Sequence, residues 1–253
     1  MDCDALRDDQ WERIKDFVPG GTRGKRGPRT DNRRFLDALL WMARSGGRWR
    51  DLPERLGDYR SVKRRYYRWI EMGVLDAMLS VLARDADLEW LMIDSTIVRA
   101  HQHAAGARRE KGGPDAQGLG RSRGGLSTKI HAATEALGLP VRLIGSPGQN
   151  NDITVAHDLV EGFDAKATIA DKGYDADHFC DGLAETGTEI VIPPKRNRKI
   201  QRSYDVELYK ERNRIERFFA RLKQYRRVAT RYDKLLANFM GFVKIAAIAI
   251  WLK

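Results

Sequence analysis

Tyr209, Arg212, Glu216 and Lys223 follow one another with the spacing Y-x2-R-x3-E-x6-K. At about 100° per residue they share a stripe roughly 60° wide on one predicted helix. One carboxylate is thereby flanked by cationic groups, which suits an acidic metal site lying against a phosphate backbone. Two further aspartates sit where apolar strands end or open into loops: Asp94 in LMIDST and Asp171 in TIADKGYD. Carboxylates brought together would repel one another and hold raised pKa values unless a cation lay between them. The three acids together suggest a site for divalent metal over DNA.

These residues need elements to carry them. Residues 1–85 read as helical, the remainder as strands alternating with helices. Asp8 or Asp9 would cap a first helix, and a basic, glycine-rich connector (GGTRGKRGPRT) follows, expected to be mobile. Thr30 would cap a second helix whose apolar residues Phe35, Leu36, Leu39, Leu40 and Ala43 recur at helical spacing. A short helix, LPERLG, then leads into a basic helix capped by Ser61, SVKRRYYRWIEMG. That order suits a small all-α, helix-turn-helix-type domain, with Lys63, Arg64, Arg65 and Arg68 facing DNA.

From Leu88 the pattern changes to strand, hairpin, helix, strand, helix, strand, helix. That is the order of a ribonuclease H-like α/β domain, a mixed sheet flanked by helices, assigned to residues 86–253. There Asp94 and Asp171 would come from adjacent strands, and Glu216 from a helix crossing the sheet edge. Residues 206–252 read as a long helix or a helix pair. The polar, glycine-rich stretch after His101 reads as a loop.

The net charge of +11 is unevenly spread. From Lys195 onward there are seventeen Lys and Arg against five Asp and Glu. Such concentrated positive charge favours a polyanionic partner. No apolar run reaches the roughly 18 residues of a membrane span. Only two cysteines are present, without metal-ligand spacing, which fits a reducing cytoplasm.

The segments IDST, ADKGYD and the Tyr-Arg-Glu-Lys spacing resemble bacterial insertion-sequence DDE transposases, in the branch named for insertion sequence five. SGGRWRDLPERLGDYRSVKRRYYRW is similar to that branch's N-terminal DNA-binding region. The resemblance implies cleavage of double-stranded DNA at element ends and joining of the freed 3′-hydroxyl to target DNA. It implies Asp94, Asp171 and Glu216 as metal ligands for Mg²⁺, with Mn²⁺ as a substitute and two ions in the site. Tyr209, Arg212 and Lys223 would contact DNA, and a homodimer on DNA in the bacterial cytoplasm, associated with the nucleoid, is expected.

Simpler readings compete. Asp175 and Asp177 rival Asp171, one of them capping the helix that follows; Asp152 would cap its own helix. His101 and His103 form an i, i+2 pair without an evident third ligand. Ser95 and Thr96 lack a base. A hydrolysis-only nuclease and a transposase-derived DNA-binding protein without catalysis are the alternative functions.

Overall fold

The computed structural model describes residues 5–19, 31–107, 112–113, 115–122 and 124–253. The connector at 20–30, including the expected cap Thr30, lies outside them. Ten helices run along the described chain. They are α1 (Asp8–Glu12), α2 (Asn32–Ser45), α3 (Tyr59–Glu71), α4 (Val74–Leu82), α5 (Ala156–Val160), α6 (Asp177–Glu185), α7 (Val206–Tyr209), α8 (Asn213–Lys223), α9 (Arg226–Ala229) and α10 (Leu236–Trp251). Six strands concern us: β1 (Trp90–Ala100), β2 (Gly120–Ser122), β3 (Gly125–Thr134), β4 (Pro140–Pro147), β5 (Ala167–Ala170) and β6 (Glu189–Val191).

The chain gathers into two compact units. One contains residues 85–100 and 118–220, the other residues 1–84, 101–117 and 221–253. One boundary between them falls at residues 84 and 85, beside the expected division, and residues 101–117 group with the helices as well. Residues 221–253 group with the N-terminal helices, not with the strands.

In the first unit the strands order as β4-β3-β1-β5-β6, with β2 also paired to β3. β1 runs antiparallel to β3 and parallel to β5, and β5 runs parallel to β6. This is the expected ribonuclease H-like mixed sheet. β5 is buried along its whole length, as a central parallel strand flanked on both faces must be. Leu91, Met92 and Ile93 of β1 are equally buried. Each apolar run therefore fixes its strand in the core, and an aspartate follows directly where the burial ends. α5 packs on the sheet near β1, β3 and β4.

The β3–β4 turn approaches the helix that carries Glu216. Gly138 has φ 80°, and a Cβ there would lie 3.2 Å from both the Cβ and the carbonyl oxygen of Arg214. Arg214 also donates to the carbonyl of Ala136 at 2.8 Å. Gly138→Ala is thus both strained and crowded. We expect it to cost about 1–3 kcal/mol, which thermal denaturation would register as a melting point lower by roughly 3–8 °C.

In the helical unit α10 is apolar on all sides and almost wholly buried. A helix of that kind needs partners all round, and α2, α3, α4 and α9 supply them. Leu39, Met42, Leu75 and Phe242 form part of the interior. Between α2 and α3 the expected short helix LPERLG is a single 3-10 turn, Glu54–Leu56. Asp58 caps α3 by accepting from the amide of Ser61, so Ser61 lies inside the helix. Arg7 precedes α1, and both Asp8 and Asp9 belong to its first turn. No helix among the described residues is long and apolar enough to cross a membrane.

Candidate active site

Ile93 of β1 pairs in register with Ala170 of β5. Asp94 and Asp171 are therefore the next residues on two parallel neighbours, whose axes lie about 4.8 Å apart. They stand side by side at the carboxyl end of β5, where open α/β sheets place their ligand sites. Asp171 leaves the sheet there, whereas β1 runs on through Asp94, paired with Ala132 of β3, to Ala100, so the strand end expected at Asp94 is absent.

Each aspartate is also held locally. Asp94 accepts from the amide of Ser95 at 2.7 Å. Asp171 accepts from the amide of Gly173 at 2.8 Å. A Cβ on Gly173 would stand 2.8 Å from that same oxygen, so only glycine leaves the carboxylate room. Four residues beyond Asp171, buried Asp175 anchors the loop by accepting from Arg198 at 2.6 Å, Arg202 at 3.0 Å and the amide of Lys195 at 2.7 Å. Burial works against its charge, but the bonds from Arg198 and Lys195 prevail and hold its carboxyl below the usual range. Asp175 is thus an anchor, and Ala176 takes the N-cap of α6 with Asp177 in the first turn.

Arg212 joins the sheet to the helix. Its guanidinium donates to Asp94 Oδ2 at 2.6 Å and to Glu216 Oε1 at 2.6 Å. Burial opposes the charge of Arg212, yet Asp94, Tyr209, Glu216 and Asp171 together raise its pKa. Burial pushes Asp94 up to about 6, and Asp171 and Asp152 add to the rise while Ser95 and Arg212 offset part of it. A fixed guanidinium therefore stands among three acids that would otherwise repel.

The expected single helix from Tyr209 to Lys223 is interrupted. α7 ends at Tyr209, a 3-10 turn spans Lys210–Arg212, and α8 begins at Asn213. Side chains three residues apart eclipse in a 3-10 turn. The pairs Lys210–Glu207 (2.6 Å) and Arg214–Glu211 (2.5 Å) use that spacing. Tyr209 lies 5.9 Å from the Arg212 guanidinium and edge-on to Tyr204. Lys223 is exposed in the last turn of α8, in the stretch that groups with the helical unit.

One residue near Asp94 escapes a reading confined to acids. Tyr174, from the string ADKGYD, is wholly buried, and its hydroxyl has no hydrogen-bond partner among the described residues. Burial and the charges of Asp152, Asp94 and Asp171 all keep that hydroxyl protonated. Asp152 does not cap a helix; it pairs with Lys129 at 2.9 Å, beside buried His131. His101 and His103 stack on one another.

On α3, Arg64 and Arg68 are exposed, and Lys63 is half-buried with its ammonium over the Tyr67 ring. Arg65 departs from the expected DNA-facing set. It lies over the rings of Phe35 and Trp69, 4.1 and 5.2 Å from their centres, and bonds to Asn32. Burial lowers its pKa to about 10. Its place in the helical register turns it towards α2.

The chain matches the family described as "Transposase DDE domain" over residues 86–252, and that described as "Putative transposase of IS4/5 family" over residues 6–79. It belongs to the DDE transposases, in their IS4/5 branch, and is an enzyme of that class. Over 132 residues it is 42% identical to the "Putative transposase for insertion sequence element IS6501" of Brucella ovis, matching 51% of this chain and all of that one. Over 113 residues it is 90% identical to the "Uncharacterized protein y4sN" of Sinorhizobium fredii, matching 45% of this chain and 90% of that one. Among solved structures, the piggyBac transposase synaptic complex with hairpin DNA superposes with a TM-score of 0.42 at 11% identity, covering 78% of this chain. The present chain spans 48% of that one. A pre-cleavage Mos1 transpososome gives a TM-score of 0.27 at 11% identity, over 96% of this chain and 86% of that one.

DDE transposases use divalent metal ions. The acids here fit such an ion in donor type, being hard carboxylate oxygens. The raised pKa of Asp94 comes first from burial, with Asp171 and Asp152 adding to it and Arg212 acting as the resident counter-charge. Among the described residues, no three His, Cys, Asp or Glu side chains are gathered closely enough to hold a metal ion. The cationic place between Asp94 and Glu216 belongs to Arg212.

Proposed function

We propose that the chain binds the ends of an insertion sequence, cuts the DNA there and joins the freed end to target DNA. Asp94, Asp171 and Glu216 are the metal ligands in this reading. The ion is Mg²⁺, with Mn²⁺ as a substitute, and two ions serve one site. When bound, metal supplies positive charge against the phosphate oxygens and eases deprotonation of the attacking hydroxyl.

The observation that carries the reading is the in-register placement of Asp94 and Asp171, with Arg212 bridging Asp94 to Glu216. In cleavage, water attacks phosphorus and the bond to the 3′-oxygen breaks, leaving a 3′-hydroxyl. In joining, that hydroxyl attacks a target phosphodiester and displaces its 3′-oxygen. With Asp94 and Glu216 engaged as ligands, Arg212 would be free to hold a phosphate, the task for which its planar fork is suited. Tyr209 supports that guanidinium, and Lys223 clamps the backbone further along. Lys63, Arg64 and Arg68 of α3 contact phosphates of double-stranded DNA, while Arg65 holds α3 in place. Two DNA ends must meet for joining, and a homodimer in the bacterial cytoplasm and nucleoid serves that need.

The test is Glu216→Ala incubated with Mg²⁺ and DNA carrying the element's ends. Cleavage should fall by about three orders of magnitude or more, equivalent to about 4 kcal/mol at the transition state. Cutting at the wild-type rate would remove Glu216 from the mechanism. A wild-type protein that nicks but never joins would favour the hydrolytic nuclease.

A further inference from the structure

The helical unit holds a cavity of about 690 Å³ that the active site does not use. Its size falls within the range of about 300–1,000 Å³ typical of small-ligand sites. Trp49, Tyr67 and Tyr232 supply rings to its wall, and Lys63 and Lys234 supply cations.

Tyr232 is 45% exposed and ends a column of three rings. His101 lies 4.8 Å from it at 22°, and His103 lies 4.7 Å from His101 at 6°. Near-parallel rings left open at one end form a platform on which a further flat ring can stack.

The deep wall is polar. Arg227 and Asp233 are 6% and 8% exposed and line the same cavity. Arg227 donates one nitrogen to Asp233 Oδ1 at 3.0 Å and another to the carbonyl of Gly47 at 2.9 Å. That leaves Asp233 Oδ2 and Arg227 Nε without hydrogen-bond partners among the described residues. A buried acceptor and a buried donor left open side by side cost stability, about 1–3 kcal/mol each. They are repaid by a ligand presenting both a donor and an acceptor.

A nucleobase has that combination: a flat face for Tyr232, and an edge carrying N–H donors and ring or carbonyl acceptors. The lysines suit the phosphates on either side of it. We propose that this cavity receives one unstacked nucleobase of a DNA strand, stacked on Tyr232 and hydrogen-bonded by Asp233 and Arg227. The inference rests on the DNA reading above but concerns a separate site.

The experiment compares a blunt duplex with the same duplex carrying a single unpaired base, in equilibrium binding to the full chain. Wild type should bind the bulged duplex about tenfold more tightly, the 1.4 kcal/mol expected of one stacked base. Tyr232→Ala should lose that preference without a change in affinity for the blunt duplex, and Tyr232→Trp should keep it. Equal binding of the two duplexes by wild type, or a preference that survives Tyr232→Ala, overturns the pocket and leaves the transposase reading intact. Absence of binding to either duplex overturns both.

Discussion

Asp94→Asn should cut DNA about a thousandfold more slowly than wild type or worse, and yet be the more heat-stable protein at pH 8. The first half follows from removing a proposed metal ligand beside the carboxyl end of β5. The second follows from the pKa of Asp94, which burial raises from 3.8 to about 6. As the pH rises, the unfolded chain loses this proton first, so the fold gives up stability between about pH 4 and pH 6. Below that window the cost is absent, and above it the cost is complete. At about 1.4 kcal/mol per unit, a neutral amide should recover about 1–3 kcal/mol. Thermal melts in chelator at pH 4 and pH 8 would read it. A gain of the same size at both pH values would mean that the charge of Asp94 is not its source.

Arg212→Ala should act in the opposite sense. With the guanidinium gone, Asp94 keeps its burial and loses its counter-charge, and Glu216 loses its link to the sheet. Breaking one partner of a largely buried pair leaves an uncompensated charge, and we expect a loss of about 2–4 kcal/mol at neutral pH. Millimolar Mg²⁺ or Mn²⁺ should then raise the melting temperature of Arg212→Ala more than that of wild type. The ion no longer competes with a resident guanidinium, and binding to the native state alone stabilises by mass action. Equal metal-induced shifts in the two proteins would show that Arg212 does not hold a metal's place.

Much of this site was legible before the fold. The apolar runs before Asp94 and Asp171 mark buried strands, although β1 continues past Asp94 to Ala100 and only β5 stops at its acid, and the order of elements is enough to seat those strands as neighbours. The four-residue step from Arg212 to Glu216 survives as a direct ion pair because both lie within one helical turn. Sequence could not tell that Arg212 also reaches Asp94, since that contact spans 118 positions and depends on how the helix meets the sheet. Nor could it separate Arg65 from Arg64, as a basic run gives equal charge to the residue that packs and the one that faces water. Tyr174 was in plain view inside ADKGYD, but an uncharged ring next to acids carries no pattern until its burial is known.

Helix α10 has a bearing on how the protein is made. It fills the interior against α2, α3 and α4, yet it is translated about 150 residues after α4. At roughly 5–20 residues per second, the early helices wait some ten seconds or more with their oily sides uncovered. The strand-bearing unit is meanwhile completed by about residue 220. Synthesis therefore finishes the unit that carries Asp94, Asp171 and Glu216 before the helices that carry the basic face of α3 have anything to close around, and nascent chains halted in that interval are natural clients for chaperones.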